Sequence, residues 1–92
     1  MHRNYDDPEY RKWRLSVYKR DNFKCQWPGC YFKSKLNAHH IKKWAENPGL
    51  RFNINNGITL CKIHHKMVTG TESYYEAVFL KIVANNDDNK QQ

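Results

Sequence analysis

The 92-residue sequence has no apolar run long enough to span a bilayer. It shows no secretory leader pattern either, so the chain is expected in the cytoplasm. It has no internal repeats, which excludes a stacked-repeat architecture. Hydrophobic residues make up only 39% of the chain and the mean hydropathy is −1.00, little for a core in a domain this small. Short chains bury a modest fraction of their surface, so a further staple is expected. An even set of cysteines is also lacking. Three thiols would leave one over in any disulfide scheme, so metal ligation accounts for them better.

Acidic residues are scarce where basic ones gather. Residues 1–66 hold 14 of the 16 Lys and Arg but only 5 of the 9 Asp and Glu, a balance of +9, while residues 67–92 carry −2. A positive field over the first two-thirds favours a polyanion and makes binding salt-sensitive. Charge alone does not separate nucleic-acid binding from a lysine-rich surface kept for solubility.

The length allows one domain, expected over 8–84, with a loose polar arm at 1–7 and a disordered tail at 85–92. Asp7 and Pro8 have the chemistry of a helix start. From Glu9 to Arg20 the apolar positions Tyr10, Trp13 and Val17 share a helical face, widened by Leu15 and Tyr18, and Arg11, Lys12, Arg14, Lys19 and Arg20 cover the rest. Asp21-Asn22 stops this helix, and Pro28-Gly29 marks a turn. Tyr31 to Ile41 reads as a strand or irregular hairpin arm, and Trp44 is expected to pack over the site. Residues 42–55 are mostly connection, and Ile58-Thr59-Leu60 is a short β-prone run. A helix starting near Cys61 is broken at Thr69-Gly70-Thr71. Ser73-Tyr74-Tyr75-Glu76 has the spacing of a capping box. The last helix is expected to end near Ala84, with Tyr75, Val78, Phe79 and Ile82 in the core.

Cys25, Cys30, Cys61 and His64 form the pattern Cys-x4-Cys and Cys-x2-His. Three thiolates and an imidazole suit tetrahedral zinc, and four protein ligands close the shell. Such an ion is structural, and its binding energy counts toward folding. The pattern by itself says no more than a zinc-stapled domain.

With those four assigned, His39, His40, Asn56 and His65 remain. Each has an ordinary reading: a strand histidine, a helix histidine, an Asn-Gly turn. Their joint presence suits phosphodiester hydrolysis. That reaction uses a histidine near neutral pKa to take a proton from water. It also uses a divalent cation to stabilise charge at the phosphate and the leaving oxygen. A buried amide can hold a loop so that the base is aimed correctly.

Ala38-His39-His40-Ile41, then Asn56-Gly57-Ile58-Thr59-Leu60-Cys61, then His64-His65-Lys66 resembles the HNH endonuclease family over roughly residues 21–69. The resemblance implies an α+β fold with a ββα-metal (His-Me finger) core, a structural zinc knuckle and flanking N- and C-terminal helices. It implies His40 as general base, Asn56 as the brace of the loop that orients it, and His39 and His65 as ligands of a catalytic divalent metal. It places Cys25, Cys30, Cys61 and His64 on the zinc ligands of the zinc-bearing subset. The position four residues after His65, a ligand in some relatives, is Thr69 here, so a shell of two imidazoles completed by water and phosphate oxygens is expected. Imidazoles without a carboxylate favour Mn²⁺, Ni²⁺ or Zn²⁺ over Mg²⁺, which substrate oxygens can still admit.

The implied activity is metal-dependent nicking of double-stranded DNA with weak sequence preference. Arg11, Lys12, Arg14, Lys42, Lys43, Lys62 and Lys66 are the candidate phosphate contacts. A free-standing chain of this size resembles the phage type, with a terminase as a possible partner, the host cell cytoplasm as its location and no membrane. A non-catalytic zinc-stapled nucleic-acid-binding module is the alternative. Adjacent strand residues point to opposite faces, so His39 and His40 can serve one phosphate only where the strand ends or bends.

Overall fold

The computed structural model describes residues 7–44 and 46–91. Five main elements follow in order: α1 (Pro8–Arg20), β1 (Leu36–His40), β2 (Gly57–Cys61), α2 (Lys62–Val68) and α3 (Glu72–Gln91), with short 3₁₀ turns at Pro48–Leu50 and Ile54–Asn56. The architecture is α+β: one two-stranded antiparallel sheet and three helices. Residues 1–6 of the expected arm lie outside the described residues.

Helix α1 starts as the sequence suggests. The Asp7 carboxylate accepts from the Glu9 backbone N–H at 2.8 Å, and Pro8 takes a first-turn position where its missing N–H costs nothing. Past Arg20 the chain turns through left-handed backbone at Asn22 and Phe23, with φ of 59° and 54°.

The register pairs Leu36 with Cys61, Ala38 with Thr59, His39 with Ile58 and His40 with Gly57. Facing residues of an antiparallel pair share a face, so the ladder sorts the core into two halves. Ala38 packs with Tyr10, Trp13 and Val17 of α1. On the other face Ile58 and Leu60 pack with Val68, Phe79 and Val83 from α2 and α3. Every residue of β2 is buried, because both faces of this small sheet are covered.

Several local expectations need correction. The regular strand is shorter than the Tyr31 to Ile41 arm. Arg20, expected on the solvated basic face, is buried. Its guanidinium pairs with the buried Asp21 carboxylate at 2.9 Å and also donates to the Ile54 and Gly57 carbonyls. Leu15 is exposed and leaves the apolar face narrower.

Ser73 does not cap α3, which starts one residue earlier. The Glu72 carboxylate accepts from the Gly70 N–H instead. Val78 is exposed, and Val83 takes the buried place beyond Phe79. Helix α3 continues to Gln91, past the expected end at Ala84. Asn86 lies in that extension, and its amide donates to Asp21 and to Gln26, both at 2.9 Å.

Candidate metal centres and nucleic-acid cleft

The ends of the sheet position two groups of side chains, one of three cysteines and a histidine and one of histidines. Cys61 closes β2 and precedes α2, so His64 stands one helical turn beyond it. The Cys25–Cys30 loop is stitched to the sheet by the Gln26 N–H donating to the Thr59 carbonyl at 2.9 Å, and it turns through Gly29 at φ 85°. These constraints bring one donor atom from each of Cys25, Cys30, Cys61 and His64 within 4.8 Å of one another.

Zinc bonds of about 2.3 Å to sulfur and about 2.0 Å to nitrogen put tetrahedral S···N pairs at roughly 3.5 Å. His64 Nδ1 lies 3.3 Å from Cys61 Sγ and 3.6 Å from Cys25 Sγ. The donor set therefore fits a metal ion such as zinc. Trp27 stacks on the His64 ring, with centroids 4.8 Å apart and planes within 4°, and fixes its orientation.

The thiols differ in acidity. Burial pushes Cys25 up to about 11. At Cys61 burial also acts upward, but the N–H groups of His64 and Ile63 and the neighbouring thiols outweigh it, so its net shift is downward.

The second set lies near the end of β1. His39 and His65 bring their rings together at 5.5 Å between centroids, edge to face, with Phe79 beside His39. Imidazoles that share an ion at about 2.1 Å put their centroids roughly 4.5–6.4 Å apart, depending on the angle at the metal. The pair is thus compatible with one cation.

His40 projects to the opposite face, toward α1. Its ring stacks on Trp13 and meets Trp44 edge-on at 5.2 Å. The structure therefore joins His39 to His65 and sets His40 across the strand from them. His40 is also the last residue of β1, where the regular strand ends. His39 and His40 are each 4% exposed, whereas His65 is half-buried.

His40 Nε2 lies 2.8 Å from the Arg51 carbonyl oxygen. A carbonyl only accepts, so this contact places a proton on Nε2, while Nδ1 is buried. Asn56 holds the loop that supplies that carbonyl. Its Oδ1 accepts from the Lys42 N–H at 2.8 Å, and its Nδ2 donates to the Lys42 and Leu50 carbonyls, both at 3.2 Å. Trp44 packs on His40 as expected and carries the Arg51 guanidinium on its other contacts, 4.6 Å from the indole centroid.

Two clefts meet at His65. One, of about 590 Å³, is lined by Lys35, Lys62, Lys66 and Thr69; the other, of about 310 Å³, by Tyr10, Arg14, Tyr18 and Ala38; Leu36, Asn37 and His65 line both. Together they pass along β1 from α2 to α1. Arg14, Lys62 and Lys66 of the expected phosphate contacts are here. Lys12 lines a separate cleft with Glu9 and Phe52. Arg11 and Lys43 are exposed and line neither cleft at His65. Lys42 is paired with Glu76 at 2.8 Å, which offsets its charge.

Lys35 and Asn37 were not singled out by the sequence. They precede and enter a strand whose start is irregular, and no spacing rule marks them. Among the described residues no helix is long and apolar enough to cross a membrane.

A family model described as HNH endonuclease matches residues 23–68. No curated protein and no solved structure matches the chain.

Proposed function

The chain belongs to the HNH endonuclease family, and from that premise we propose that it is a metal-dependent DNA endonuclease that nicks one strand. The β1–β2–α2 run is then the ββα-metal core, and the Cys25, Cys30, Cys61 and His64 cluster is its structural zinc site. The observation that carries the reading is the pairing of His39 with His65 beside a histidine whose tautomer is fixed by a braced loop.

His40 takes a proton from the attacking water at Nδ1, while Nε2–H stays on the Arg51 carbonyl. Asn56 holds the backbone on either side of that loop, so the imidazole keeps its aim without rearranging during the reaction. His39 and His65 would hold a divalent cation, which when bound supplies positive charge at the phosphate and at the departing oxygen. Lys35, Lys62, Lys66 and Arg14 draw the phosphate backbone into the clefts on either side of His65. In-line attack with loss of the 3′ oxygen leaves a 5′ phosphate and a 3′ hydroxyl. One site per chain gives nicks, and the few side chains left for base edges give weak sequence preference.

Supercoiled plasmid incubated with the purified chain tests this. Nicked circles are expected with added Mn²⁺. They should vanish with EDTA and in His40→Ala, which should still fold and shift DNA in a gel. A gel shift without nicking would instead support a zinc-stapled binding module.

A further inference from the structure

Helix α1 lies outside the residues that the family model matches, yet it supplies the surface against which His40 rests. The rings of Trp13 and His40 are stacked, with centroids 4.0 Å apart and planes 14° from parallel. Trp13 is itself held: its indole N–H donates to the Asn53 carbonyl at 2.9 Å, in the loop that Asn56 braces. The ring also needs room beside the strand, and Gly57 provides it. Gly57 is the residue paired with His40 across the ladder, so any side chain there would stand on the same face. A Cβ at Gly57 would come 2.6 Å from Trp13 Cζ2 and 2.5 Å from Val17 Cγ2. The missing side chain is therefore the slot that the indole fills.

Beside the Trp44 edge, two contacts act on the imidazole in different ways. The Arg51 carbonyl fixes a single point of the ring, about which it could still rotate. The Trp13 face removes that rotation by fixing the plane. We infer that Trp13, seated in the gap left by Gly57, is a positioning residue that holds the His40 imidazole in its reactive plane, making α1 a working part of the catalytic centre. This rests on His40 being the general base.

The consequence is a change in turnover without a matching change in substrate binding. Trp13 is buried and stacked on His40, so its loss should act on the aim of the base. A misaim of about 1 Å costs on the order of 100-fold in rate. Trp13→Leu, which removes the aromatic plane, is expected to lower kcat for plasmid nicking by roughly 10- to 100-fold, with KM within about threefold. Trp13→Phe keeps a plane and should restore kcat to within about threefold of the starting chain. Zinc content and a cooperative thermal melt establish that each variant folds. Should Trp13→Leu fail to fold, Trp13→Met, apolar and adaptable, takes its place.

A folded non-aromatic variant with unchanged kcat overturns the inference. So does a rise in KM at constant kcat, or a Phe variant as slow as the Leu variant. If neither non-aromatic variant folds, Trp13 belongs to the core alone and the inference also falls. A starting chain that nicks nothing sinks the nuclease reading and this inference with it. One that nicks, loses nicking in His40→Ala and ignores Trp13→Leu sinks this inference alone.

Discussion

Replacing Asn56 with alanine should damage stability and turnover together, and the structure sets the size of both. Asn56 is 4% exposed and makes three hydrogen bonds: it accepts from the Lys42 N–H and donates to the Lys42 and Leu50 carbonyls. A net hydrogen bond is worth about 1 kcal/mol, and a buried partner left without one costs a further share of its desolvation. Losing all three should therefore cost roughly 2–4 kcal/mol. In a domain of this size that corresponds to a fall in Tm of roughly 10–25 °C.

Asn56→Asp sharpens the test because it is almost isosteric. The carboxylate can still accept from Lys42, but it sets negative oxygens against two carbonyls that had been donated to. It should be no better than alanine at neutral pH. Urea melts at saturating zinc give the stability, since metal binding to the folded state would otherwise move the midpoint. Nicking measured well below the melting range gives the turnover, which should fall because the Arg51 carbonyl is no longer held against His40. An alanine variant within about 0.5 kcal/mol of the starting chain, the level of an ordinary surface substitution, would refute the bracing argument.

Three further outcomes follow from the same geometry. Cys61→Ser, or prolonged chelation, should abolish zinc binding and unfold the chain, seen as loss of the cooperative melt and of helical circular dichroism. Arg20→Met leaves the buried Asp21 carboxylate without its cation, though the Thr59 N–H and Asn86 still donate to it, and frees the Ile54 and Gly57 carbonyls, so it should cost about 3–5 kcal/mol in urea denaturation, with part recovered in the double variant carrying Asp21→Asn. With the zinc site filled, Mn²⁺ should support faster nicking than Mg²⁺ at equal concentration, because two imidazoles suit the softer ion. A clear preference for Mg²⁺ would argue against a shell built on His39 and His65.

Much of this was legible in the residues because local chemistry governs it. The Asp7–Pro8 start of α1, the Pro28-Gly29 turn and the Cys25, Cys30, Cys61 and His64 cluster depend on short spacings, which a sequence displays directly. What stayed hidden depends on tertiary partners. Arg20 looks like any surface arginine until Asp21 and the Ile54 and Gly57 carbonyls surround it. Trp13 reads as a packing residue because its helical period says only that it is buried. That it lies on His40 follows from the register that pairs His40 with Gly57, which no periodicity specifies. Val78 and Val83 are both at apolar positions on α3. Which one meets the sheet depends on how the helix is rolled against Ile58 and Leu60. The run of α3 past Ala84 carries Asn86, which reaches Asp21 and Gln26 across 65 and 60 positions of chain, a pairing that a polar sequence does not announce.

Crystals grown with zinc and soaked in Mn²⁺ would put two ions with separate roles to the most direct test, through anomalous difference maps collected on either side of each metal's absorption edge. A zinc peak enclosed by Cys25, Cys30, Cys61 and His64, and a manganese peak between the imidazoles of His39 and His65, is the expected result. Manganese absent from that pair while bound elsewhere, or a single ion serving both sets of residues, would contradict it.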